Sequence, residues 1–163
     1  MVPVTLQWAE ALQRGDVVFE RDCGIRVVPG WAGFAETVPM MVRFASSGGD
    51  SAWGPYLVFD DHRALVGTGG WKGPPVDGVA ELGYAVAPPR QNRGIASELV
   101  TELLASARRR GLTTAVAHTL AAESASTSVL RKCGFHRCGE HDAPEDGPVW
   151  RWERVIAAAA EHW

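Results

Sequence analysis

The spacing of apolar residues changes period part-way along the chain. Before about residue 50 it is helical. Leu6, Ala9 and Leu12 predict a short helix over 4–14 that ends at Gly15, and residues 16–23 predict a second, closed by Gly24. Pro29 and Gly30 break the chain. A third helix is predicted from Ala35 to about Ser46, with Pro39 tolerated inside its first turn. Ser46 to Asp50 reads as a flexible loop. Beyond it the pattern becomes strand-like: Tyr56–Phe59, a tight turn at Asp60-Asp61-His62, and a hairpin partner at Ala64–Gly67. The glycine-rich stretch from Gly67 to Pro75 reads as loop toward its end. Val79–Val86 predicts the next strand, and 94–110 the strongest helix, about 25 Å long at ~1.5 Å per residue. Ile95, Leu99, Leu103 and Ala107 line one side of that helix, with Val100 and Leu104 beside them. A strand at Thr114–Thr119, a short helix at Ser126–Lys132 stopped by Gly134, and strands at 135–140 and 148–154 complete the reading. The result is a mixed α+β chain, read as a single domain over 1–163, with a helical part at 1–50 and a sheet-forming core at 55–154.

Composition narrows the function classes. The 163 residues are enough to bury a core, and 46% hydrophobic with 21% charged residues is ordinary for a globular protein. A net charge of −3 argues against nucleic acid as a partner, because phosphate-backbone binding calls for a broad basic surface. No window is long and apolar enough to cross a bilayer, and the first residues lack a charged segment followed by an apolar one. The expectation is a cytoplasmic protein that binds neither membrane nor nucleic acid. Cys23, Cys133 and Cys138 are odd in number and lack metal-site spacing, so reduced thiols and no metal are expected; Cys133 and Cys138 flank Gly134 at what reads as a helix end. Trp53 and Trp71 flank the hairpin and either pack in the core or line an acceptor pocket.

The run from Glu81 to Ala96 carries the chemistry. A strand stops at Pro88-Pro89, a loop holding Arg90 and Arg93 follows, and a helix begins at once. Unpaired N–H groups at such a helix start, where the dipole is positive, suit an anion, and the two arginines add charge. An ordinary strand-to-helix turn is the alternative for these residues alone. The loop is neither a Gly-x-Gly-x-x-Gly dinucleotide fingerprint nor a P-loop, since Gly67-Thr-Gly-Gly70 is followed by Trp71.

In order and spacing, Gly69-Gly-Trp-Lys-Gly-Pro-Pro75, Glu81-Leu-Gly-Tyr84, Ala87-Pro-x-x-Gln-Asn-Arg-Gly-Ile-Ala96 and Ser126-x-x-Val-Leu-Arg-Lys-Cys-Gly-Phe135 resemble the GNAT superfamily of acetyl-CoA-dependent N-acetyltransferases. Within it they resemble the ribosomal-protein-alanine acetyltransferase (RimJ/RimL-like) branch. The resemblance covers roughly residues 55–140. It implies a central, mostly antiparallel twisted sheet, splayed between the fourth and fifth strands and flanked by helices. It implies acetyl-CoA as co-substrate, with its pyrophosphate held by the backbone N–H groups of Asn92, Arg93, Gly94, Ile95, Ala96 and Ser97, and with Gln91 also in the cofactor site. The pantetheine arm would pair with the free edge of Tyr84, Ala85 and Val86, which must be satisfied somehow. Glu123 stands where the family has an asparagine that contacts that arm. No tyrosine occupies the usual proton-donor position before Gly134-Phe135. A homodimer stays open.

Acetyl transfer needs a deprotonated amine, an N–H donor for the oxyanion and a proton source for the thiolate. Glu81, in a strand otherwise apolar, is the first candidate base, or else a solvent-facing strand residue. His118, on the strand across the expected cleft, is the second, or else structural. The oxyanion donor would be a backbone N–H near Val86. Ser126 either serves the thiolate or caps the helix at 126–132. Two functions follow: an N-acetyltransferase acting on a primary amine in a ternary complex, or a non-catalytic module that binds CoA or acyl-CoA. Residues 1–50 and the loops at 46–54 and 72–78 carry no motif that names the acceptor.

Overall fold

The computed structural model describes residues 1–156. The expectation of one domain reaching Trp163 therefore includes residues 157–163, which lie outside the described residues. The N-terminal part forms α1 (Leu6–Arg14), α2 (Asp16–Cys23) and α3 (Thr37–Ser47). Thr5 caps α1 by accepting from the Trp8 amide, and left-handed Gly24 and Gly48 close α2 and α3. A seven-stranded sheet follows, built from β1 (Val2–Pro3), β2 (Pro55–Phe59), β3 (Leu65–Trp71), β4 (Val79–Val86), β5 (Thr114–Leu120), β6 (His136–Ala143) and β7 (Gly147–Val155) in the order β1-β2-β3-β4-β5-β7-β6. Every neighbouring pair is antiparallel except β4 and β5. The remaining helices are α4 (Ile95–Arg109) and α5 (Ala125–Lys132).

Three features depart from the sequence expectation. β1 is two residues long, too short to show a period. The hairpin strand does not end at Gly67 but runs to Trp71, and β6 and β7 lengthen toward a turn at residues 144–146. Gly69 and Gly70, beyond the expected strand end, are strand glycines that admit close packing. A Cβ at Gly69 would lie 2.6 Å from the Leu99 side chain of α4, so the helix settles where a side chain would otherwise stand. The hairpin turn behaves as expected: Asp60 accepts from the His62 and Ala64 amides at 2.9 and 3.0 Å.

One hydrophobic cluster joins the helices to the sheet. Leu99, Val100, Leu103, Leu104 and Ala107, the predicted apolar stripe of α4, are buried against β3 and β4 with Leu82, Phe135 and Trp152. The segment between α2 and α3 lies on the other face, where Gly33 packs against Ala85. Trp53 and Trp71 are 7% and 4% exposed and meet edge to face at 5.6 Å. They belong to the core, and the pocket reading is set aside. Cys133 is buried at the end of α5, but Cys138 is exposed on β6 beside a bulge, not at a helix end.

Gly67 sits opposite Val86, and a Cβ there would approach the Ala85 carbonyl oxygen to 2.5 Å. Backbone cannot yield as a flexible side chain does. Gly67→Ala is expected to destabilise the fold by about 1–3 kcal/mol, as overpacking does, and to lower the thermal midpoint by several degrees in a calorimetric scan.

Candidate active site

β4 and β5 run parallel and pair at three positions only: Val79 with Thr114, Ala80 with Ala115, and Glu81 with Val116. Beyond Glu81 the strands part. β4 continues to Val86, paired on its other side with β3, and β5 continues to Leu120, paired with β7. The V between them is the predicted splay. Because side chains alternate along a strand, Leu82, Tyr84 and Val86 point to the α4 face and Glu81, Gly83 and Ala85 to the opposite one.

On the α4 face, a cavity of about 360 Å³ opens between β4, the start of α4 and one side of α5. Of the predicted cofactor residues, Tyr84, Val86, Gln91, Asn92, Gly94, Ile95, Ala96 and Ser97 line it. Asn92 and Gly94 are both left-handed, at φ 62° and 80°. Left-handed residues on either side of Arg93, which is not left-handed, turn successive backbone N–H groups toward a concave, anion-accepting nest at the positive end of α4. Ala85 does not line the cavity, since its side chain points to Gly33 on the other face. Arg93 is exposed outside the lining. Arg90 lines the cavity but leans on Asp60 at 3.6 Å, so its charge is shared with the hairpin. The Gln91 side chain donates to the Val86 carbonyl at 3.0 Å, holding down the end of β4.

The far wall holds residues that sequence reasoning missed. Ala125, Ser128, Val129 and Lys132 of α5 line the cavity at i, i+3, i+4 and i+7, a spacing that marks one helix face. α5 itself is capped by Ser124, not Ser126: Ser124 accepts from the Thr127 amide while the Thr127 hydroxyl accepts from the Ser124 amide. Ser126 is thus the second residue of the helix, and the capping role read for it is corrected. Its carbonyl accepts from the Tyr84 hydroxyl at 3.0 Å, a bond across the V. Burial pushes that hydroxyl's pKa up, with the hydrogen bond to Ser126 opposing it. Glu123 is turned away from the cavity. Its carboxylate takes both Arg131 nitrogens and the Thr127 hydroxyl, and these bonds, the arginine's first, hold it at about 2.

On the opposite face, at the last paired rung, Glu81 and His118 are one unit and not two separate candidates. His118 Nδ1 lies 2.8 Å from Glu81 Oε1, and Lys72 Nζ lies 2.7 Å from the same oxygen. All three side chains are partly exposed. Burial alone would raise the Glu81 carboxyl, but the hydrogen bonds from Lys72 and His118 outweigh it and hold the carboxyl below its ordinary value. With Glu81 accepting at Nδ1, the other ring nitrogen of His118 is the one left to act elsewhere. The His118 ring also stands edge-on to His141 of β6 at 5.2 Å. Lys72 carries no local signal of this role; its pairing depends on the strand register, in which the Lys72 amide donates to the Glu81 carbonyl. Among the described residues no cluster of His, Cys, Asp and Glu is arranged to hold a metal ion, and no helix is long and apolar enough to cross a membrane.

A nest and cavity thus lie on one face of a split parallel pair, and an ionised carboxylate lies at the apex on the other. A family model described as Acetyltransferase (GNAT) domain matches residues 11–136, and the chain belongs to this family. It is a GNAT acetyltransferase. Solved structures share the fold at low identity. A chimeric spermidine N-acetyltransferase from Vibrio cholerae is 19% identical over 74% of this chain and 77% of its own, with a TM-score of 0.62. The ribosomal-protein-S18-alanine N-acetyltransferase of Escherichia coli is 20% identical over 76% and 81%, at 0.58. A GCN5-related N-acetyltransferase from Kribbella flavida is 17% identical over 63% and 67%, at 0.55. No curated protein sequence gives a significant match.

The depressed Glu81 carboxyl has a pH signature. Its stabilising pairs are fully present above the ordinary carboxylate value of 4.5 and are lost as pH falls through the lower folded-state value. The stability difference between the wild type and Glu81→Gln is therefore expected to hold near neutrality and to shrink below about pH 4.5, as read from denaturant midpoints across pH.

Proposed function

We propose that the protein transfers acetyl from acetyl-CoA to a primary amine, carried on a small molecule or a protein N-terminus, by direct attack in a ternary complex. The observation that carries this reading is the position of Glu81 and His118 at the apex of the V, on the face opposite the cavity. The nest from Asn92 to Ser97 suits a pyrophosphate, and a cavity that follows the free edge of β4 suits an extended arm. The donor supplies an activated thioester; the chain's own residues do the rest. Glu81, kept ionised, orients the His118 ring and with it removes the proton from the acceptor ammonium, directly or through a water. A backbone N–H near the end of β4 faces the developing oxyanion. The Ser126 hydroxyl, on the first turn of α5, is the remaining candidate for the thiolate.

The motifs around Gln91–Ala96 and Ser126–Phe135 support a placement in the RimJ/RimL-like branch, and the acetyl-CoA requirement supports a cytoplasmic site of action. Lys132, on the cavity wall, adds a cation to the donor site in place of the partly engaged Arg90.

Isothermal titration is expected to show acetyl-CoA binding. Arg93→Glu reverses a charge at the nest and should weaken that binding by about tenfold or more, ~1.4 kcal/mol. Glu81→Gln should lower kcat by about 10²-fold or more while leaving the affinity for acetyl-CoA within about twofold. Binding without CoA release on any member of an amine and peptide panel would favour the non-catalytic module instead.

A further inference from the structure

The chain contains two lysines, Lys72 and Lys132, against a much larger number of arginines. One of them carries its amine into the apex of the V. Lys72 Nζ lies 2.7 Å from Glu81 Oε1, the oxygen that also meets His118 Nδ1. Its stem runs past Gly83 of β4, where a Cβ would stand in ordinary van der Waals contact with Lys72 Cε at 3.7 Å. The backbone bond between Lys72 N–H and the Glu81 carbonyl, 2.8 Å, fixes the register that puts the two side chains together. A primary amine thus stands beside the carboxylate that the acetyl-transfer reading uses.

We propose that the protein acetylates its own Lys72 when no other acceptor fills the site; this rests on the acetyl-transfer reading above. The Lys72 side chain is 56% exposed, and an ion pair this open exchanges readily with water, so the amine is not locked on Glu81. The step balances without further reagents. The ammonium gives one proton to Glu81, directly or through a water. The free nitrogen then bonds to the thioester carbonyl carbon and the C–S bond breaks. A second proton leaves the nitrogen and ends on the departing thiolate, giving an amide, a CoA thiol and one released proton. The modified side chain is uncharged and cannot pair with Glu81, so the carboxylate is left with His118 alone. Lys132 lines the cavity on the other face, away from Glu81, and serves as the internal reference.

The test is incubation of the full chain with acetyl-CoA and no acceptor, followed by site-resolved mass spectrometry of the Lys72 and Lys132 peptides. Time-dependent acetylation at Lys72, well ahead of Lys132 and suppressed by excess CoA, is the expected result. Glu81→Gln should slow it by about 10²-fold. Lys72→Arg keeps a cation beside Glu81 and should bind acetyl-CoA normally by calorimetry yet carry no label in that peptide. Equal labelling of both lysines, labelling indifferent to Glu81→Gln or to excess CoA, or an unlabelled Lys72 in protein that binds acetyl-CoA and acetylates an added amine would overturn the proposal. Protein that binds no acetyl-CoA at all would instead overturn the reading on which it rests.

Discussion

Everything at the site depends on β4 and β5 pairing for three residues and then parting. Parallel strands ordinarily stay paired, because an open row of N–H and C=O groups in a sheet interior is costly. Here the divergence is held from both sides. β3 pairs with β4 as far as Val86, and β7 pairs with β5 as far as Leu120, so each strand is secured on its outer edge while the inner edges separate. On the α4 face Ile95 and Ser97 line the cavity, and the segment carrying Gly33 approaches Ala85 on the other. The result is a cleft through the sheet that is open on both of its faces.

The electrostatics follow from that geometry. Glu81 is at the last rung, half in the sheet and half in the cleft, so it needs partners to stay charged. Lys72 comes from the adjacent hairpin and His118 from the neighbouring strand, and together they overcome the cost of burial. An anion kept ionised in this way is a weak base by itself. Its stronger contribution is to set the tautomer and direction of the histidine.

Elements with a clear period, such as α1, α4 and the β4 strand, were legible from sequence because local pattern and tertiary packing agree there. The break between β4 and α4 was legible because the residue types and order from Ala87 to Gly94 fit both a strand stop and a helix start. β3 was not: its glycines look like a loop when the helix that fills their space is unknown. Ser124 was missed as the cap because Ser126 stood in the recognised motif, and either serine fits the local chemistry. That Glu81 and His118 belong together, and that Lys72 joins them, depends on strand register across 37 and 9 positions of sequence separation. No local signal encodes register of that kind. Glu123 illustrates the converse case, since a position inherited from a motif was redirected by Arg131 two helical turns away.

The hydroxyl of Tyr84, bonded to the Ser126 carbonyl, acts as a crossbar between a strand on one bank of the cleft and a helix on the other. α5 follows β5 in the chain, so this bond ties the two banks above the apex, beside the contact between Cys133 of α5 and the Ser97 carbonyl of α4. With it, the width of the slot belongs to the folded protein. A guest that fits the slot therefore gives up its own freedom on entry, while little further ordering is asked of its host.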